Sequence, residues 1–70
     1  MADQIEVQVN AEPQRCPPGT SLADLLARLG YRSDQVAVAI DNEFVPRTRY
    51  AERRLKGAER IDVLMPIQGG

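Results

Sequence analysis

Apolar and polar residues alternate through Ile5-Glu6-Val7-Gln8-Val9, which is the period of a strand with one buried face. Asn10-Ala11-Glu12 follows as a turn, and Pro13 to Cys16 reads as a short second strand that closes a hairpin. Pro17-Pro18-Gly19 ends it, because two prolines withhold ladder donors and Gly tolerates the reversal. The period then changes. Leu22, Leu25, Leu26 and Leu29 recur at helical spacing, so a short amphipathic helix of about nine residues is predicted. Ser21 caps it, Asp24 falls at the capping-box position, and Gly30 supplies the stop. Such a leucine stripe must be buried against a sheet.

Val36 to Ile40 predicts a third strand, Asp41-Asn42-Glu43 a turn, and Phe44-Val45 a fourth strand that Pro46 cuts short. Arg47 to Leu55 carries no period and reads as irregular chain or one helical turn around Tyr50. Lys56-Gly57-Ala58-Glu59 is a turn, and Arg60 to Met65 the fifth strand, closed by Pro66. The order of elements predicts an α+β fold, a five-stranded sheet with one main helix packed on one face. No repeat or linker divides it. Residues 1–66 are expected to form the domain, and 67–70 a flexible tail.

Composition narrows the functions available. The 70 residues include no His and a single Cys, so the commonest general base, the commonest zinc ligand and any internal disulfide are missing. A self-contained enzyme is not expected, and neither is a bound cofactor or metal. The net charge of −1 is unevenly spread. Residues 1–46 carry three Arg and seven acidic residues, whereas 47–60 carry Arg47, Arg49, Arg53, Arg54, Lys56 and Arg60 against Glu52 and Glu59. That basic segment suits a solvated turn region better than a nucleic-acid site, since the only aromatics are Tyr31, Phe44 and Tyr50. An acidic protein partner or a phosphate-bearing ligand is the other use for it. The N-terminal residues lack the pattern of a secretory signal, and no apolar run spans a membrane, so a cytoplasmic location is expected.

Three places in the chain invite a chemical role. Cys16 has only Arg15 beside it and suits a packing role better than a persulfide carrier. Asp41-Asn42-Glu43 lacks the spacing of a metal loop, and a hairpin turn explains it. The third is Gly69-Gly70. Ile67, Gln68, Gly69 and Gly70 would project roughly 13–14 Å if extended, and glycines without a Cβ enter a channel closed to other residues. The dipeptide alone equally suits a frayed terminus.

Together with the rest of the chain, that ending resembles the ubiquitin-like β-grasp family, and within it the sulfur carriers of thiamine biosynthesis, the ThiS family. The resemblance is carried by the helix entry Gly19-Thr20-Ser21-Leu22-Ala23-Asp24-Leu25-Leu26 and the hairpin Val38 to Arg47 with its Val45-Pro46-Arg47 ending. The turn Gly57-Ala58-Glu59-Arg60-Ile61 and the ending Met65-Pro66-Ile67-Gln68-Gly69-Gly70 complete it. It implies that the five-stranded sheet is mixed, and that the protein is used as a reagent. The Gly70 carboxylate would be adenylated with ATP by a ubiquitin-activating-type (ThiF-type) adenylyltransferase. A sulfur donor such as a cysteine desulfurase persulfide would then displace AMP, and the resulting thiocarboxylate would supply a ThiG-type thiazole synthase. The carrier alone is expected to be a monomer. It would grip its partners through Leu64, left on the outer sheet face beside Ala37 and Ala39 if Ile61 and Val63 pack under the helix. The same tail chemistry would serve a molybdopterin-synthase small subunit or another thiocarboxylate carrier. A ubiquitin-like modifier also ends in Gly-Gly, although the single Lys56 gives poor support to branched polymers. A nucleic-acid module built on residues 47–60 is the third class.

Overall fold

The computed structural model describes residues 3–65. Its strands are β1 (Ile5–Val9), β2 (Glu12–Cys16), β3 (Ala37–Ile40), β4 (Glu43–Val45) and β5 (Arg60–Leu64), with one α-helix, α1 (Leu22–Arg28). Single 3₁₀ turns occupy Ser33–Gln35 and Arg47–Arg49. The strands form one sheet in the order β2-β1-β5-β3-β4. β1 and β5 run parallel, and the other neighbours are antiparallel. The expected α+β architecture is present, and the last strand in sequence lies in the middle of the sheet.

Two tight hairpins frame that central strand. Asn10 and Ala11 have φ of 50° and 70°, and Asp41 and Asn42 have φ of 51° and 69°. Paired positive φ values make two-residue turns whose twist matches that of the strands. Both turns also hold β5 by a side chain. The Asn10 Oδ1 accepts the Val63 N–H at 2.8 Å, and the Asp41 Oδ1 accepts the Arg60 N–H at 2.9 Å. Pairing between β1 and β5 covers only Gln8–Arg60 and Val9–Ile61. The Asn10 side chain thus takes over where β1 turns away and Val63 would lack a partner on that side.

The helix is capped at both ends by identifiable groups. Ser21 Oγ accepts the Asp24 N–H at 3.1 Å, as its position predicts. The Leu22 and Ala23 N–H groups donate to Arg53 O at 2.8 Å and Tyr50 O at 3.0 Å, and Leu25 N–H donates to Ser21 O. All four donors of the first turn are therefore satisfied, two of them by carbonyls from the arginine-rich segment. At the other end Gly30 has φ of +87°. Its N–H donates to Ala27 O and that of Tyr31 to Leu26 O, the paired bonds of a Schellman ending.

The core lies between the helix and one sheet face. Leu22, Leu25 and Leu26 pack with Val7, Val9, Cys16, Val36, Val38, Ile40, Val45, Ile61 and Val63. Tyr50 and Leu55 close the side, and the Tyr50 hydroxyl donates to Val36 O at 3.0 Å. This satisfies the polar end of an otherwise buried ring.

Several boundaries differ from the sequence expectation. The helix has seven residues, because Leu29 is already its C-cap. β2 begins at Glu12, since the turn needs only Asn10 and Ala11. Val36 is buried but precedes β3, and Met65 lies beyond β5. The turn at Ser33–Gln35 was not predicted: three polar residues carry no period. Pro66 and the tail 67–70 lie outside the described residues.

Ala11 and Gly30 provide a matched test of this backbone. Ala11 holds a left-handed conformation that costs a residue with a Cβ about 1 kcal/mol. An added Cβ on Gly30 meets nothing within 4 Å, so only its φ opposes a side chain. Ala11→Gly is expected to raise, and Gly30→Ala to lower, unfolding stability by about 0.5–1 kcal/mol each. Urea midpoints at unchanged m-value check both.

Candidate functional site

Strand alternation decides what β5 offers to solvent. Ile61 and Val63 point into the core, so Leu64 points outward and is 60% exposed. The antiparallel register places Leu64 opposite Ala37 and Asp62 opposite Ala39. On the far side of β3, Ala39 faces Phe44 of β4. Directly paired residues share a sheet face. Leu64, Ala37, Ala39 and Phe44 therefore lie together on the surface away from the helix. The expected grouping of Leu64 with the two alanines is present in this geometry. Both alanines are half-buried, as small side chains flanked by larger ones should be.

Phe44 was not among the residues singled out from the sequence, yet it is 68% exposed. The signal was present in the turn. Reading Asp41-Asn42 as a two-residue turn pairs Ile40 with Glu43 and Ala39 with Phe44, whereas a three-residue turn leaves the register open. Met65, 64% exposed, joins the same end of the sheet because the strand stops before it can pack. Leu64 and Met65 are exposed where β5 ends, and Phe44 is exposed two strands away on β4. The patch sits where the chain leaves β5 toward Gly70. Ile67, Gln68, Gly69 and Gly70 themselves lie outside the described residues.

Much of the arginine-rich segment is engaged within the domain itself. Arg53 Nη2 meets Glu59 Oε2 at 2.5 Å, and Glu59 is buried. Glu59 Oε1 also accepts the Lys56 N–H at 2.7 Å. Arg54 Nη1 donates to Gly19 O at 3.1 Å, Arg47 Nε to Ser33 O at 3.2 Å, and Arg49 pairs with Glu52 at 3.9 Å. Four of the five arginines thus fasten a chain segment that lacks regular structure.

Cys16 is fully buried in the core, which fits its expected packing role. The Asp41-Asn42 turn uses its carboxylate on a backbone donor. Among the described residues no group of three or more His, Cys, Asp or Glu is placed to hold a metal ion. No helix among them is long and apolar enough to cross a membrane.

Comparison with known proteins converges on one family. Residues 7–70 match the model described as the ThiS family. The chain is 27% identical over 66 residues to the sulfur carrier protein ThiS of Escherichia coli, covering 94% of this chain and 100% of that one. It is 33% identical over 66 residues to a thiazole synthase of Magnetococcus marinus, covering 94% of this chain but 20% of that protein. Among solved structures, a thiamine biosynthesis protein (ThiS) of Geobacter metallireducens superimposes with a TM-score of 0.80. The match has 20% identity and covers 94% of this chain and 100% of that one.

Proposed function

This chain belongs to the ThiS family, and from that premise we propose that its reactive group is the main-chain carboxylate of Gly70. Its fold is the ubiquitin-like β-grasp, and it is a small sulfur carrier of thiamine biosynthesis. The observation that supports placing the chemistry at Gly70 is that the family match runs through to that residue.

A terminal carboxylate with an ordinary pKa of about 3.3–3.7 is anionic at neutral pH and resists nucleophiles. In this proposal a partner adenylyltransferase joins a Gly70 oxygen to the α-phosphorus of ATP and releases pyrophosphate. The acyl carbon then carries AMP as a leaving group. A sulfur donor, such as a cysteine desulfurase persulfide, displaces AMP through its outer sulfur to give an acyl disulfide. A thiol co-reactant then attacks the donor's sulfur, releasing the thiocarboxylate and leaving the two thiol sulfurs joined in a new disulfide. A thiazole synthase takes the sulfur and returns the carboxylate. No step requires a base from the carrier, which fits a chain without His. Gly69 gives passage, Gln68 and Ile67 lie as extended backbone in the partner's channel, and Leu64, Ala37, Ala39 and Phe44 dock the domain.

The Magnetococcus thiazole synthase supports that choice of consumer. One fifth of its length is a segment similar to this chain, and joining a carrier to its consumer raises their effective concentration. Thiamine is favoured over the molybdopterin and modifier alternatives by the family match.

The test is a mass measurement. Incubated with an active ThiF-type adenylyltransferase, ATP and a sulfur source, the intact chain is expected to exchange one oxygen for sulfur, located at Gly70 by fragmentation. An unchanged mass with a verified enzyme refutes the assignment. Leu64→Asp, which puts a charge into the patch, is expected to raise the KM for the carrier by about tenfold or more. Its kcat should remain close to that of the unsubstituted chain.

A further inference from the structure

Beside the patch, Gln35, Val36, Ala37, Arg47, Leu64 and Met65 line a shallow groove of about 170 Å³. It lies at the sheet end from which the chain leaves β5. Its walls are apolar or amide, and among the described residues Arg47 is the one charged side chain lining it. The guanidinium is positioned by its own fold: Nε donates to Ser33 O at 3.2 Å, fourteen residues away in sequence. Unlike Arg49 and Arg53, Arg47 forms no ion pair among the described residues. The acidic residue in the facing turn, Asp34, pairs with Arg32. The side chain is therefore oriented in advance; among the described residues its Nη groups have no partner and no carboxylate lines the groove.

We propose that Arg47 is a positioning residue that pairs with a carboxylate on the rim of the adenylating enzyme, beside the mouth of the channel that receives Gly70. The occupant is a protein side chain of Asp or Glu flanked by apolar residues. The apolar part covers Leu64 and Met65, and the carboxylate takes the two Nη groups. A planar fork with Nε already engaged presents its far end for two parallel bonds to a carboxylate. A single cation among apolar walls matches one negative charge, whereas a phosphate site gathers several donors. Gly70 lies five residues beyond Met65, a span of up to roughly 16–18 Å. Arg47 thus acts through docking and not on the reacting carbon.

This inference rests on the assignment of activation to Gly70, and steady-state adenylation kinetics separate the two. Arg47→Ala and Arg47→Gln are expected to raise the KM for the carrier about tenfold with kcat within about twofold. They should also flatten the increase of KM with salt that the unsubstituted chain shows. Lys56→Gln removes the same charge at the opposite end of β5 and should leave both unchanged. Circular dichroism and the unfolding midpoint of each variant confirm that the domain is intact. If the unsubstituted chain is not activated at all, both assignments fall. If it is activated and the Arg47 variants match it in KM and salt dependence, only the Arg47 assignment falls. A concentration-dependent dimer of the unsubstituted chain that Arg47→Ala dissolves would give the groove to a second copy and overturn the proposal.

Discussion

A chain shortened to end at Gly69 is expected to take up no measurable sulfur, although it still ends in a glycine carboxylate. The reason is distance. Each residue of extended chain spans roughly 3.3–3.6 Å, so with the domain seated on its patch, the carboxylate stops short of the nucleotide. Misplacement by as little as about 1 Å can cost a hundredfold in rate. One glycine added after Gly70 should fail for the opposite reason, by pushing the carboxylate past the phosphorus. Gly69→Val keeps the length and tests passage, since a branched side chain enters where no Cβ was allowed for. All three changes fall beyond β5, so the unfolding midpoint should not move. Mass analysis after incubation with adenylyltransferase, ATP and sulfur source reads the outcome. Sulfur on the shortened chain at the unsubstituted rate would show that reach does not select the site.

The parts of this molecule that could be read from its sequence are those determined by neighbouring residues. Alternation marked β1 and β5, because a strand's two faces are decided by adjacent positions. The leucine stripe marked α1, and Ser21 and Gly30 marked its ends by chemistry confined to one turn. The outward position of Leu64 followed from the same alternation. Pairings between distant segments were not readable. Nothing local to Ile61 or Val9 says that their strands lie side by side and parallel. Phe44 was missed because its face depends on whether a turn has two residues or three. The arginines' contacts were unreadable for a similar reason. Net charge counts them alike, whereas their function depends on carbonyls 14 and 35 residues away, at Ser33 and Gly19. A guanidinium on a flexible stem leaves no periodic trace of the group it will reach. Sequence also cannot distinguish Arg53, which is paired with a buried carboxylate, from Arg47, which lines the groove.

That distinction leads to a large stability effect, expected from Glu59→Ala. Glu59 is 8% exposed and serves two donors, Arg53 Nη2 and the Lys56 N–H. Deleting the carboxylate leaves a part-buried backbone donor without its acceptor and a guanidinium without its counter-charge. Breaking a fully buried pair costs about 3–5 kcal/mol. Arg53 keeps about a third of its side chain in water (32% exposed), so a loss of about 2–3 kcal/mol is expected. For a small domain whose total stability is about 5 kcal/mol, that is roughly half. Glu59→Gln retains an acceptor for Lys56 and should lose less than Glu59→Ala. The loss should also have a location. Arg53 O and Tyr50 O hold the Leu22 and Ala23 N–H groups of the helix, and Arg53 is the residue that Glu59 anchors. In Glu59→Ala, those two amides should lose more hydrogen-exchange protection than global destabilisation explains, while Tyr31 at the helix C-terminus follows the global change. Equal losses at both ends would mean that the ion pair supports the domain generally and not the helix entry. Were the unfolding midpoint unchanged, the basic segment would lose this structural explanation, and its charge would again need a partner.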